Sequence, residues 1–183
     1  MGQALARALA AGLLLCAACG DLPAHTLRVA PEPPPDVDPE LGFGGRVRVE
    51  GRTDASRAEF HAELFHGERL ELRRSLGVLA LELPAVITLT AELAAEPPHV
   101  TIELAPDGGA PRSLAAELPA EFPARGGLAS PALLLEERTA SDAECVPLFG
   151  VRRGGRVTLT GPEGPFAADE IVVRFVLELH GGG

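Results

Sequence analysis

A histidine and a carboxylate two residues apart, in His61-Ala62-Glu63, are the chain's best candidates for chemistry. On a β-strand, residues i and i+2 point to one face, so the imidazole and the carboxylate would stand side by side. With His66 and Glu68 close behind, they are the beginnings of a zinc site or of a general acid–base pair. A second cluster is acidic. Asp36, Asp38 and Glu40 alternate, and the loop acids Asp142, Glu144, Asp169 and Glu170 are available to join them. A hard cation such as calcium wants six or more oxygens, and such a set is a starting shell. Cys145 is the third candidate, as a reactive thiol or an intermolecular pair.

Each candidate also has a plainer reading. The spacing of His61 and Glu63 resembles the His-x-Glu of zinc deaminases, but the matching Pro-Cys-x-x-Cys is missing, and there is no His-Glu-x-x-His. A solvated strand face is therefore the expected reading of His61, Glu63 and His66, with no metal and no cofactor. Acids beside prolines serve to keep a segment in solvent. Cys145 is expected to be a small buried hydrophobe, with no disulfide. His25, His99 and His180 lie near chain ends or turns and add nothing. None of the five serines lies in Gly-x-Ser-x-Gly, and Gly42-Phe43-Gly44 has Val47 where a dinucleotide loop needs its third glycine.

Composition narrows the function classes. There is no Lys, Asn, Tyr or Trp. The absence of Lys removes the P-loop lysine, the kinase lysine, the Schiff base and the Ser-x-x-Lys nucleophile. The absence of Trp and Tyr removes the usual stacking platform for bases and the usual aromatic subsites for sugars, which disfavours a glycosidase built on two carboxylates. Beyond residue 18 the chain holds 15 arginines against 26 acids, a formal charge of −11. That charge repels phosphate backbones, and no nucleic-acid partner is expected.

The elements that must position these residues read as strands. Val47 and Val49 alternate with Arg46, Arg48 and Glu50; Ala58, Phe60, Ala62 and Leu64 alternate with Glu59, His61 and Glu63. Similar runs follow at Leu70–Leu72, Leu79–Leu83, Ile87–Leu93 and Val100–Leu104. Strict alternation is the mark of a strand with one buried face. Asp107-Gly108-Gly109 predicts a hairpin into 113–118, and Gly154-Gly155 predicts another between Val146–Arg153 and Arg156–Thr160. Ile171 to Leu179 places Ile171, Val173, Phe175, Leu177 and Leu179 on one face. Val172 and Val176 on the other mark it as a central strand. Arg174, on its less apolar face, is expected to tolerate Gln. Leu114 to Phe122 and Leu133 to Ala143 are ambiguous, the second being open to a short helix from Pro131 to about Arg138. About nine short strands predict an all-β fold, an antiparallel β-sandwich of immunoglobulin-like architecture over 43–183. The Cys…Trp…Cys signature of immunoglobulin domains is absent.

Residues 19–42 read as a disordered Pro-rich acidic tether, carrying Pro23, Pro31, Pro33, Pro34, Pro35 and Pro39. Extended at ~3.1 Å per residue, such a tether holds a domain several tens of ångströms away from its anchor, and removing it costs little stability.

Residues 1–18 form a leader. Arg7 precedes the apolar run Ala8–Leu15, which is too short for a membrane span, and Cys16, Ala17, Ala18 and Cys19 follow. This end resembles bacterial lipoprotein precursors, in which a type II signal peptidase cuts before a cysteine that follows two small residues. Ala17 and Ala18 match the small positions and Cys19 the acceptor; Cys16 stands where leucine is commonest. The resemblance implies lipidation of Cys19 with a diacylglycerol and usually a third chain, which anchors stably where a single chain does not. The expected protein is a non-enzymatic envelope lipoprotein. The outer membrane is favoured over the inner, and the sandwich is a binding, adaptor or structural module for another envelope protein. The alternatives are a small-ligand or lipid carrier with an apolar cavity between the sheets, and a metal-dependent hydrolase using His61 and Glu63.

Overall fold

The structure, a computed structural model, describes residues 24–37, 42–92, 95–119, 122, 128–133, 137–153, 164 and 166–181, with backbone alone for 128–133 and 151–153. It is all-β. In chain order the strands are β1 (Thr26–Pro31), β2 (Gly42–Arg52), β3 (Ala55–His66), β4 (Arg69–Ala80), β5 (Ala85–Glu92) and β6 (His99–Pro106). They continue with β7 (Arg112–Glu117), β8 (Leu128–Leu133), β9 (Arg138–Ser141), β10 (Val146–Arg153) and β11 (Ile171–Gly181). Six form one sheet in the order β7-β6-β5-β2-β1-β9, and five form the other in the order β4-β3-β11-β10-β8. Every pairing is antiparallel.

The alternation seen in the sequence is what closes the two sheets on each other. Val47 and Val49 of β2, Ile87 and Leu89 of β5, and Ile102 and Leu104 of β6 face Phe60 and Ala62 of β3 and Phe175 and Leu177 of β11 in one core cluster. Phe43 and Phe175 meet across the gap with ring centroids 5.9 Å apart. Gly45 of β2 is required by this closeness: a Cβ there would lie 2.2 Å from the Phe149 ring of β10, so the aromatic ring fills the place of a side chain. The β3–β4 hairpin turns through Gly67 and Glu68, with Gly67 at φ +56°, a left-handed conformation that glycine adopts without steric cost. The Asp107-Gly108-Gly109 turn joins β6 to β7 as expected.

β11 lies centrally, between β3 and β10, and is paired along its whole length. Val172 and Val176 are buried on its outward face as completely as Val173 and Phe175 are on the inward one.

Two expectations are corrected. The stretch read as a disordered tether over 19–42 contains β1, an interior strand between β2 and β9, with Leu27 and Val29 fully buried. Its short alternation, Leu27-Arg28-Val29, is masked in the sequence by the prolines that follow. Pro31 is tolerated because it ends the strand. Beyond it, residues 32–37 carry no regular structure, yet Glu32 N donates to Arg46 O, and Pro35 and Val37 lie against Gly44. The short helix to which the ambiguous stretch from Pro131 to about Arg138 is open by sequence gives way to β8 and β9, one at the edge of each sheet. Pro131 is compatible with β8 because an edge strand leaves half its amides unpaired, and the ladder to β10 is irregular beside it. The predicted hairpin at Gly154-Gly155 and the strand Arg156–Thr160 lie outside the described residues, as do the leader and Cys19.

Candidate functional site

The outward face of a sandwich sheet is ordinarily solvated. On the five-stranded sheet it is closed over part of β3: Glu63 is 3 % exposed and His61 8 %. Register explains who meets them. Glu63 of β3 lies opposite Arg174 of β11 on one side and Arg73 of β4 on the other. Arg174 donates to Glu63 Oε2 through Nε at 2.8 Å and lies 2.7 Å from it through Nη2, while Arg73 Nη1 is 3.8 Å from Oε1. A buried carboxylate is tolerated when it is held in this way. The Arg174 guanidinium also lies over the Phe65 ring, 4.6 Å from its centroid. Phe65 packs on Phe166 and Val172, a small apolar cluster on the outward side of the sheet.

His61 is next along the strand. Its Nε2 lies 3.3 Å from Glu178 Oε2 and 3.8 Å from Glu59 Oε1, is buried, and makes no hydrogen bond. Ser75 donates to Glu59 Oε1 at 2.6 Å, and His180 Nε2 is 2.9 Å from Oε2. The Ser75 hydroxyl, more than any other group, holds the Glu59 carboxyl below the usual carboxylate range; burial opposes it, and His61 and His180 reinforce it. Glu178 accepts from Arg73 Nη2. Cys145, in the turn between β9 and β10, places Sγ 3.4 Å from Arg73 Nη2 and 3.6 Å from Glu178 Oε2. Cys145 is exposed, which corrects its reading as a buried hydrophobe.

The sequence candidates therefore meet only in part. His61 and Glu63 share a face. His66, opposite Ile171 and in phase with Leu64 and Ala62, belongs to the other face and is exposed at the strand end beside Glu71. Glu63 is engaged by two guanidiniums. Among the described residues no group of three or more His, Cys, Asp or Glu side chains is arranged to hold a metal. The acidic set does not assemble either. Asp142 sits where β9 ends and β1 begins, whereas Glu170, just before β11, accepts from Ala167 N. Asp38 and Glu40 lie outside the described residues.

A cleft of about 450 Å³ opens at the end of the sandwich where β1 begins, lined in part by His25, Thr53, Asp54, Leu81 and Leu83. His25 is there in a left-handed conformation, φ +63°, unusual for a residue with a side chain. Its Nδ1 is 3.0 Å from Asp142 Oδ2, which also accepts from Thr53 Oγ1 at 2.7 Å. The contact with Asp142 raises the His25 pKa, and Asp54 adds to it. The Asp142 carboxyl is held low, chiefly by the Thr53 hydroxyl. Nothing in this group is a nucleophile: Thr53 donates to the carboxylate, and no bond from it to the imidazole is formed.

Sequence reasoning missed His25, which looked like part of a chain end, and Arg73, whose role depends on the partners that β3 and β11 bring to it. β4 is the free edge of its sheet, and it is a guarded edge. Register shifts at two places mark bulges, and Arg74, opposite the buried Ala62, puts an exposed charged residue at a core-phase position of the edge strand. Both features discourage a further strand from pairing. Comparison with family models, with curated proteins and with solved structures finds no match to the chain.

Proposed function

We propose that the chain is a bacterial envelope lipoprotein, fastened by acyl chains on Cys19, whose β-sandwich is a non-catalytic binding or adaptor module. The observation that carries the second half is the outward face of β4 and β3. Its carboxylates Glu63, Glu59 and Glu178 are paired with Arg174, Arg73, Ser75 and His180 of the same face, and the large apolar side chains left exposed among the described residues, Leu70 and Val78, both stand on β4. The guarded edge directs a protein partner to this face, not to strand addition. The aromatic rings that meet between the sheets, Phe43 on Phe175 and Phe149 against Gly45, favour a module over a carrier of small apolar ligands.

The position of β1 sets the geometry of such an anchor. Thr26 is already in the sheet, seven Cα-to-Cα steps from Cys19. At a limit of 3.3–3.6 Å per residue, that leash reaches about 25 Å at most. The domain then stands close to the bilayer with the β1-start end turned toward it, in place of the distant domain that a longer tether would allow.

Fractionation tests the reading. Cys19→Ser is expected to move the protein out of the membrane fraction, and Cys16→Ser to leave it there. Retention of Cys19→Ser in the membrane overturns the anchor. For the module, Leu70→Asp with Val78→Asp is expected to abolish co-purification of whatever protein is crosslinked to the anchored form.

A further inference from the structure

Cys145 is placed as a nucleophile would be. Its Sγ is exposed to an incoming reagent on one side and faces Arg73 and Glu178 on the other. A cation beside a sulfur steadies the thiolate, the form that reacts. A single cysteine next to an arginine says little, but a second observation is independent of it. His61 Nε2 is a polar atom without a hydrogen-bond partner, buried under the sheet's outward face, and 3.3 Å from it lies the same Glu178 Oε2 that faces the sulfur. An unsatisfied buried ring nitrogen is costly unless it serves a state in which it is used. A proton that leaves Sγ for Glu178 and passes to His61 gives Nε2 that use.

We propose that Cys145 is a covalent capture site for low-molecular-weight disulfides, with Arg73 steadying the thiolate and Glu178 and His61 receiving its proton. The step is thiol–disulfide exchange. The S–H proton passes to Glu178 Oε2, 3.6 Å away, and on to His61 Nε2, 3.3 Å further. The Cys145 thiolate attacks one sulfur of the reagent disulfide, the reagent's S–S bond breaks, and a Cys145 mixed disulfide forms. The other half leaves as a thiolate and takes up the proton. No further oxidant is needed, because the incoming disulfide is itself reduced to one thiol and one bound half. The charged and titratable groups around the sulfur are Arg73 from β4 and Glu178 from β11. Behind them stand Glu59, His61 and Glu63 of β3 and Arg174 and His180 of β11, and Glu144 precedes it in the chain. Arg73 and His61 are positioning residues: they act through the sulfur and through Glu178. The exchange is stoichiometric, so it does not make the sandwich an enzyme.

The test uses the mature protein in detergent, oxidised glutathione as the probe, and mass spectrometry of the intact chain, with Cys145→Ser as the blank. The expected result is a mixed disulfide absent from the blank. It should form at least about tenfold faster per thiol at neutral pH than on a free cysteine peptide, and slow about tenfold or more in Arg73→Gln and in His61→Gln. A structural role for His61 would not alter the shape of the pH–rate profile. The proposal expects an inflection from the imidazole in the wild type that His61→Gln removes. A wild-type rate equal to that of the free peptide, or a profile with a single inflection, overturns the proposal even where the variants fail to fold. Dimers joined through Cys145 in place of the glutathione adduct also overturn it, since they assign the thiol to a second copy of the chain.

Discussion

The outward faces of the two sheets carry the same residue types and use them under opposite conditions. On the six-stranded sheet Arg48 reaches Glu50, Glu32 and Asp107, and Arg28 reaches Glu137 and Glu50. All of these side chains keep substantial contact with solvent. On the five-stranded sheet Glu63 is enclosed between Arg73 and Arg174 with almost none. Water screens the first set and competes for its hydrogen bonds, so each pair contributes little. It hardly reaches Glu63, so loss of its closer partner leaves a buried carboxylate held by Arg73 alone. An Arg–Glu pattern in a strand therefore has no fixed energetic meaning; the covering of the strand decides it.

The largest expected effect tests whether the six-stranded sheet depends on β1 at all. A chain begun at Leu41 loses an interior strand and with it the burial of Leu27 and Val29. Full burial of side chains of that size contributes about 1.5–3 kcal/mol each, and β9 would lose the one strand it pairs with among the described residues. Against the 5–15 kcal/mol that typically separates a folded from an unfolded domain, the truncated chain is expected to show no cooperative thermal transition by circular dichroism. A melt within a few degrees of the longer chain would return β1 to the status of a tether.

Next in size is the contrast between the faces themselves. Arg174→Gln is expected to cost about 3 kcal/mol, the low end of the range for breaking a buried pair, because Arg73 remains within 3.8 Å of the carboxylate. This corrects the tolerance read from the sequence. Arg48→Gln is expected to cost about 0–1 kcal/mol. Urea denaturation of the two variants decides the matter, and equal costs would remove the distinction between the faces.

The smallest effect belongs to His25 and Asp142, at the solvent-open end of the six-stranded sheet. The folded His25 pKa lies above its ordinary 6.5, so its contribution is full below about pH 6.5 and is lost as the pH rises through the raised value. The folded Asp142 pKa lies below its ordinary 3.8, so its contribution is present above about pH 3.8 and is lost as the pH falls through the lowered value. The stability difference between wild type and His25→Gln should therefore be greatest between those limits and shrink on the alkaline side. Melts from about pH 5 to 9 with an NMR titration of the His25 ring test this. A difference that grows with pH contradicts the sign.

Much of the fold was legible. β2, β3, β5, β6 and β11 alternate over four or more residues, and a period of two survives inspection even where propensity is poor. β1 and β8 were not legible, because each is six residues long and carries a proline, and only pairing with distant strands makes them regular. The site was legible only as a list of names. His61 and Glu63 could be placed on one face, but their burial could not. The groups that surround them come from elsewhere in the chain, Arg174 from 111 residues away and Cys145 from a turn with no pattern of its own. The exposure of Cys145 had no signal in the sequence.

The place of β1 also imposes an order on assembly. Its first edge can zip to β2 as soon as residue 52 is available, but its other edge waits for β9, where Leu27 meets Ala140. A chain is synthesised from its N-terminus, so the earliest of the described strands is among the last to be completed, and contacts of such long separation slow folding. During that interval a row of amides and carbonyls stands open beside two buried-to-be apolar side chains, a template for mispairing until residues 138–141 arrive. The prolines at 31, 33, 34 and 35 follow at once. They stop any wrongly added strand from extending past the end of the correct one.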